Sequence, residues 1–126
     1  SIDKRLRLAI GEAFLLYNSP QMIDAIRSKI ADELFEFSKH AVDQSILRNI
    51  SLDEFREAIA TATVIEDYPN DKYGPSCLVL GFTKNGRPIH VQCTYATRGL
   101  LKIITLYEPD ENLWVDFRSR RPPAEG

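Results

Sequence analysis

Only two cysteines, two histidines, one tryptophan and one methionine occur in the 126 residues. Two cysteines, Cys77 and Cys93, without histidines at ligand spacing make no zinc site, and no metal or other cofactor is expected. No apolar run approaches the roughly 20 residues that cross a bilayer. Nor does a basic, apolar and small-residue signal pattern open the chain, so the expectation is a cytoplasmic protein with no membrane partner. No phosphate-cradling glycine loop, nucleophile elbow or dinucleotide fingerprint is present, which sets aside nucleotide hydrolysis and redox chemistry. There is no internal repeat and no low-complexity segment.

What is present suits one compact domain: 44% of the residues are hydrophobic, and the chain is long enough for a core without staples. The formal net charge is only -2, but it is unevenly spread. Residues 1–71 hold eight Lys and Arg against thirteen Asp and Glu, whereas residues 72–121 hold eight against four. The second half is therefore the basic half, where a polyanion would be met, unless the halves simply neutralise each other.

The most informative stretch is Cys77–Ala96, two β-rich runs hinged on Asn85-Gly86. This dipeptide tolerates the positive φ of a two-residue type I′ turn and predicts a hairpin. With Lys84 facing Arg87, Phe82 meets Ile89, Leu80 meets Val91 and Leu78 meets Cys93, an apolar face for the core. Period-two alternation then sends His90, Gln92 and Thr94 to the other face, with Gly81 leaving open space beside His90. The two cysteines fall on opposite faces in this register.

Before the hairpin the periodicity is helical. Leu6, Ile10, Phe14 and Tyr17 form a stripe over residues 4–17, and Ser19-Pro20 restarts a helix with Ile23, Ile26 and Ile30 on one side. Met22 leaves open that residues 1–21 precede a natural start. Glu33–Phe37 reads as a short strand or a helix end. Ser38 caps a helix to about Asn49 that carries His40, Gln44 and Arg48 as a polar stripe, with Val42 and Ile46 nearly opposite. Ser51-Leu52-Asp53-Glu54 is a capping box opening an amphipathic helix. Strands follow at Thr63–Tyr68 and Leu100–Tyr107, then Trp114, Phe117, Arg118, Arg120 and Arg121. Helices first and strands afterwards predict an α+β fold, N-terminal helices packed on an antiparallel β-sheet. The divisions are a helical extension at 1–32, a domain at 33–121 and a flexible tail at 122–126.

Six ordered blocks, among them Ser38-Lys39-His40-Ala41, Val64-Ile65-Glu66-Asp67-Tyr68-Pro69, Arg87-Pro88-Ile89-His90-Val91 and Ile103-Ile104-Thr105-Leu106-Tyr107-Glu108-Pro109-Asp110, resemble the family filed as domain of unknown function 4258. The resemblance covers about residues 33–120. That family is similar in fold to the RelE, ParE and BrnT toxins of bacterial toxin–antitoxin pairs, often metal-independent ribonucleases neutralised by a small antitoxin. The resemblance therefore implies a RelE/BrnT-toxin-like fold, RNA as substrate and a small antitoxin protein as partner. Two departures stand out: Gln44 where the family often has arginine, and Tyr107 near the place where BrnT-like relatives carry one.

Metal-free RNA cleavage needs a base for the 2′-hydroxyl, an acid for the 5′-oxygen and a cation for the phosphate. The catalytic candidates are His40, Arg48, Tyr107 and His90, with Thr105 supporting Tyr107. Lys84, Arg87, Arg98, Lys102, Arg118, Arg120 and Arg121 are the candidate RNA-binding cations. Trp114 and Phe117 read as core anchors, and Asp67 and Tyr68 as turn residues. The expected function is a toxin-like metal-independent endoribonuclease. The alternative is a non-catalytic protein- or RNA-binding module of the same fold, acting through complex formation, with the stripe through Leu6, Ile10, Phe14 and Tyr17 available for homodimer formation.

Overall fold

The computed structural model describes residues 20–72, 74–97 and 99–122; the stripe expected at residues 4–17, Arg98 and nearly all of the tail lie outside them. The first described element is α1 (Pro20–Ala31), which buries Met22, Ile23, Ile26 and Ile30. Glu33 ends its last turn with φ of 60°, and the Leu34 N–H donates to the Lys29 carbonyl at 2.8 Å. This left-handed residue reverses the chain into β1 (Phe35–Phe37). Helix α2 (Lys39–Leu47) follows directly, its N-cap Ser38 accepting from the Ala41 N–H. Helix α3 (Leu52–Ala60) opens on the capping box, with Ser51 and Glu54 each accepting from the other's backbone N–H. It buries Phe55, Ala58 and Ile59.

Four longer strands complete the domain: β2 (Thr63–Tyr68), β3 (Ser76–Phe82), β4 (Pro88–Thr94) and β5 (Leu101–Tyr107). The sheet order is β1-β5-β4-β3-β2. The architecture is α+β, as expected, but the sheet is mixed rather than antiparallel, because β1 runs parallel to β5, pairing Phe35 with Leu101 and Phe37 with Ile103. Past the end of β1 the ladder is carried on by Ser38, whose N–H donates to the Ile103 carbonyl and whose hydroxyl donates to that of Ile104. Helix α2 is thereby started beside β5.

The hairpin forms where Asn85-Gly86 indicates, but its register differs by one residue. The Thr83 N–H donates to the Arg87 carbonyl, the Gly86 N–H to the Thr83 carbonyl, and only Gly86, at φ of 81°, has positive φ. The loop is thus the three-residue kind, a turn followed by a left-handed glycine, rather than the two-residue type I′. The Thr83 hydroxyl also accepts from the Arg87 N–H at 3.0 Å, which holds the longer loop closed.

One residue of slip exchanges the faces of one strand relative to the other. Cys77 pairs with Cys93, Val79 with Val91 and Gly81 with Ile89 on the helix side, while Leu78 pairs with Gln92 and Leu80 with His90 on the far side. The cysteines therefore face each other, free thiols with Sγ atoms 3.8 Å apart in the core. Gly81 leaves no open space beside His90. It lies under α3, where an added Cβ would stand 1.7 Å from the Ala58 carbonyl oxygen.

The main core fills the layer between the helices and this side of the sheet: Ile26, Phe55 and Ile59 above, Val79, Ile89, Val91, Leu101, Ile103 and Leu106 below. Each fully buried side chain of this size contributes roughly 1.5–3 kcal/mol. A β-bulge between Gln92 and Cys93 resets β5, so Leu101, Ile103 and Leu106 all reach the core although simple alternation separates Leu106 from the other two. On the far side, a short hairpin of β6 (Trp114–Val115) and β7 (Ser119–Arg120) lies over the sheet.

Candidate functional site

The far side of the sheet is read most easily in rows across the strands. Thr63, Leu80, His90 and Tyr107 are successive partners in one row, and Glu66, Leu78, Gln92 and Thr105 in the next. The first row sets an imidazole beside a phenol; the second sets a carboxylate two residues up the face.

His90 is fully buried. Its Nε2 lies 2.6 Å from the Phe117 carbonyl and its Nδ1 lies 3.3 Å from the Tyr107 hydroxyl. A carbonyl can only accept, so Nε2 carries the proton, which leaves Nδ1 bare to accept the Tyr107 O–H. Burial pushes His90 below its ordinary pKa, outweighing the upward pull of the Phe117 carbonyl and Glu66, with Arg120 adding to the downward push. The ring is neutral at pH 7. Trp114 stands edge-on to it, centroids 4.5 Å apart.

Tyr107 keeps partial exposure. Burial holds its phenol above the ordinary range, so it is a proton donor at neutral pH. Glu66 is ionised: burial alone would raise its pKa, but hydrogen bonds from Arg120 and Tyr68 together hold it below the usual carboxylate value. Arg120 meets Glu66 with both Nε and Nη2 at 3.0–3.3 Å and stacks over the Trp114 ring, 4.7 Å from its centre. The Tyr68 hydroxyl donates to Glu66, and burial together with that carboxylate pushes its pKa up to about 12. The Arg120–Glu66 pair is open to water on one side, with side-chain exposures of 63% and 22%. Such a pair contributes on the order of 0–1 kcal/mol.

The arrangement thus combines a carboxylate, two phenols, a neutral imidazole and a guanidinium on one sheet face. From the second row a polar chain runs on, Gln92 donating to the Ser76 hydroxyl and Ser76 to Asp71. Among the described residues no cluster of His, Cys, Asp and Glu is placed to hold a metal ion.

Of the four catalytic candidates, two meet. His90 and Tyr107 are hydrogen-bonded neighbours, although His90 lies packed against Leu80 and Trp114 rather than on an open polar face, because of the register slip. His40 lies exposed on α2 and Arg48 exposed at its C-cap, and neither is bonded to the imidazole–phenol pair. Arg48 stays near that end of the sheet, since Arg87 donates to the Arg48 carbonyl at 2.8 Å and to Glu108, the residue after Tyr107, at 3.0 Å. Thr105 does share the face of Tyr107, one row along.

The cations are dispersed. Arg87 is spent on Glu54, Glu108 and the carbonyls of Arg48 and Asn49, a clamp between helix and sheet. Lys84 is exposed in the hairpin loop, and Lys102, at the opposite end of the sheet, pairs with Glu36 at 3.6 Å. Arg118 donates to the Thr63 hydroxyl, Arg120 to Glu66 and Arg121 to the Glu111 carbonyl. Arg118 and Arg120 are the two that lie over the candidate site.

Glu66 and Tyr68 are the site residues that sequence reasoning missed. Both sit in β2, at alternate positions of a β-rich run, and that spacing is the signal that shares them with one face; Ile65 at a bulge then shifts the count by one. Trp114, read as a core anchor, is buried, but against His90 rather than in the main core.

Fold and face together define a small α+β domain whose mixed sheet is covered by helices on one side and carries a polar constellation under a hairpin on the other. The chain belongs to the family described as Domain of unknown function (DUF4258), whose model matches residues 37–108, more than half of the sequence. His90, Glu66, Tyr68 and Tyr107 all fall within the match. No curated protein and no solved structure was found to match the chain. No helix among the described residues is long and apolar enough to cross a membrane.

Proposed function

We propose that the protein is a toxin-like, metal-independent endoribonuclease of the RelE/BrnT kind, acting at the Tyr107–His90 end of the far sheet face and held in check by a small antitoxin. The observation that carries this is the Tyr107–His90 pair beside the Glu66–Arg120 pair: a proton-donating phenol oriented by a neutral imidazole, close to an ionised carboxylate and a guanidinium. Those are the group types that cleavage through a 2′-hydroxyl requires. In this scheme Tyr107, oriented by the bare Nδ1 of His90, protonates the departing 5′-oxygen and is then reprotonated from solvent water. Glu66 accepts the 2′-hydroxyl proton, and Arg120, with Arg48 at the rim, binds the phosphate.

The second reading, a binding module without chemistry, is favoured by one feature: His90 and Arg120 are fully engaged by Phe117 and Glu66 as the chain stands. The test is cleavage of a fluorescently labelled single-stranded RNA in EDTA, comparing wild type with Tyr107→Phe, which removes only the hydroxyl. Cleavage by wild type that drops by 100-fold or more in Tyr107→Phe supports the enzyme, in line with the usual contribution of a positioned acid. Equal inertness of the two proteins at RNA concentrations raised to saturation defeats it and leaves the binding module.

A further inference from the structure

The hairpin of β6 and β7 has features that a simple cover for the sheet does not need. Its turn holds two successive non-glycine residues in the left-handed region, Asp116 at φ 52° and Phe117 at φ 63°. A Cβ disfavours that conformation, and Asn-Gly or Gly-Gly is the usual choice. Its two strands are two residues each and, among the described residues, pair only with each other. A ribbon this short does not stand alone in water. Among its polar contacts with the sheet are three that matter for the site: Phe117 carbonyl to His90, Arg118 to Thr63 and Arg120 to Glu66. Two ring contacts join them, Trp114 on His90 and Phe117 on Phe82. Apart from Trp114, its side chains are exposed or only half-buried. Every one of the three polar contacts lands on the first two rows of the candidate site, and the strained turn contributes the carbonyl that occupies His90.

We infer that residues 114–120 form an autoinhibitory strap: latched, it fills the face where a single-stranded RNA would lie, and it must swing away before His90, Glu66 and Tyr107 can be reached. This rests on the function proposed above for the same face. The strap's own arginines stand where a ligand's phosphates would be met, so opening frees Glu66 and presents Arg118 and Arg120 on a mobile arm. The left-handed turn lowers the cost of opening, because the strain it holds is released when the strap departs.

Trp114 is the single tryptophan of the chain and lies in the strap, so its fluorescence reports the latch directly. Phe117→Pro is the opening variant, since the proline ring holds φ near -65° and cannot occupy the observed turn. Asp116→Gly is the closing variant, since glycine adopts positive φ without a Cβ. In the full chain, Phe117→Pro is expected to red-shift Trp114 emission and raise its quenching by acrylamide, while amides of β3 and β4 keep their slow hydrogen exchange. It should also tighten binding of a labelled single-stranded RNA by tenfold or more. Asp116→Gly should slow exchange of the strap amides by about fivefold, the factor set by the left-handed penalty, and weaken RNA binding.

If Phe117→Pro makes β3 and β4 exchange together with the strap, the hairpin is an integral part of the fold and the strap is overturned. Should Trp114 be released while wild type and Phe117→Pro bind the RNA equally well, autoinhibition is likewise overturned. Failure of the RNA function is read separately, from neither wild type nor Phe117→Pro binding or cleaving the RNA although Trp114 is free in the variant.

Discussion

Gly81→Ala is the substitution that most directly tests the register on which the site depends. The new Cβ would stand 1.7 Å from the Ala58 carbonyl oxygen, 2.4 Å from the carbonyl carbon and 2.9 Å from Cα. All three are backbone atoms of α3, so no rotamer change relieves the clash; the helix must move by about 1.5 Å or more to restore ordinary contact. That helix carries Phe55, Ala58 and Ile59 into the core, and overpacking of this kind costs about 3 kcal/mol, the upper part of the usual range. Replacing glycine in a strand returns only about 0.5–1 kcal/mol of unfolded-state entropy. The net expectation is a loss of about 2 kcal/mol, or a melting temperature lower by roughly 8 °C at about 4 °C per kcal/mol for a chain of this size. Urea titration and thermal melting followed by circular dichroism measure it. In the two-residue-turn register Gly81 would face the opposite side, where a methyl group fits beside the imidazole and stability would hold or rise. A variant as stable as wild type would therefore refute the packing of α3 on β3.

Further expectations follow from the same contacts. Because His90 is held below its ordinary pKa of 6.5, the unfolded chain binds a proton near pH 6.5 that the folded one refuses. Stability should therefore fall as pH drops from 7 towards 5, and His90→Asn should flatten that slope in urea midpoints taken across the range. Arg87→Ala removes donors to Glu54, Glu108, Arg48 and Asn49 and is expected to cost about 2–3 kcal/mol, with Arg87→Lys recovering less than half because an ammonium lacks the planar fork. Both thiols are fully buried, and burial pushes that of Cys93 up to about 12; closed off from reagent, both cysteines should resist alkylation in the native state and react only at the rate of unfolding, and rapid labelling of the folded protein would contradict their placement.

Local chemistry was legible wherever a short motif has one structural outcome. Ser38 and Ser51-Glu54 cap the helices they were expected to cap, and Asn85-Gly86 does bend a hairpin. The register was not legible, because the same dipeptide serves a two-residue and a three-residue loop and only the Thr83 hydroxyl, reaching Arg87 through space, favours the longer one. Alternation also fails at the bulges in β2 and β5, which no local pattern announces. The parallel β1 was ambiguous for a related reason: three residues of Phe-Glu-Phe acquire strand geometry from β5, not from their own periodicity. For the site, the pairing of His90 with Tyr107 was within reach of sequence resemblance, whereas Glu66 was hidden among residues that read as a strand running into a turn. Helix α2 was legible in length but not in orientation; it buries only Ala41, and Ile46 and Leu47 remain 75% and 72% exposed.

The parallel strand has a consequence for how the molecule comes into being. Ser38 bonds to Ile104, 66 residues later, and the strand that receives it is the last long one among the described residues. Until residue 107 has left the ribosome, α1, α2 and α3 have no complete surface to settle on, and Ile26, Phe55 and their neighbours stay wetted. Assembly should then be abrupt and wait for Tyr107 to emerge, with nascent chains that have not exposed Leu101 captured by chaperones and those that have exposed Tyr107 released.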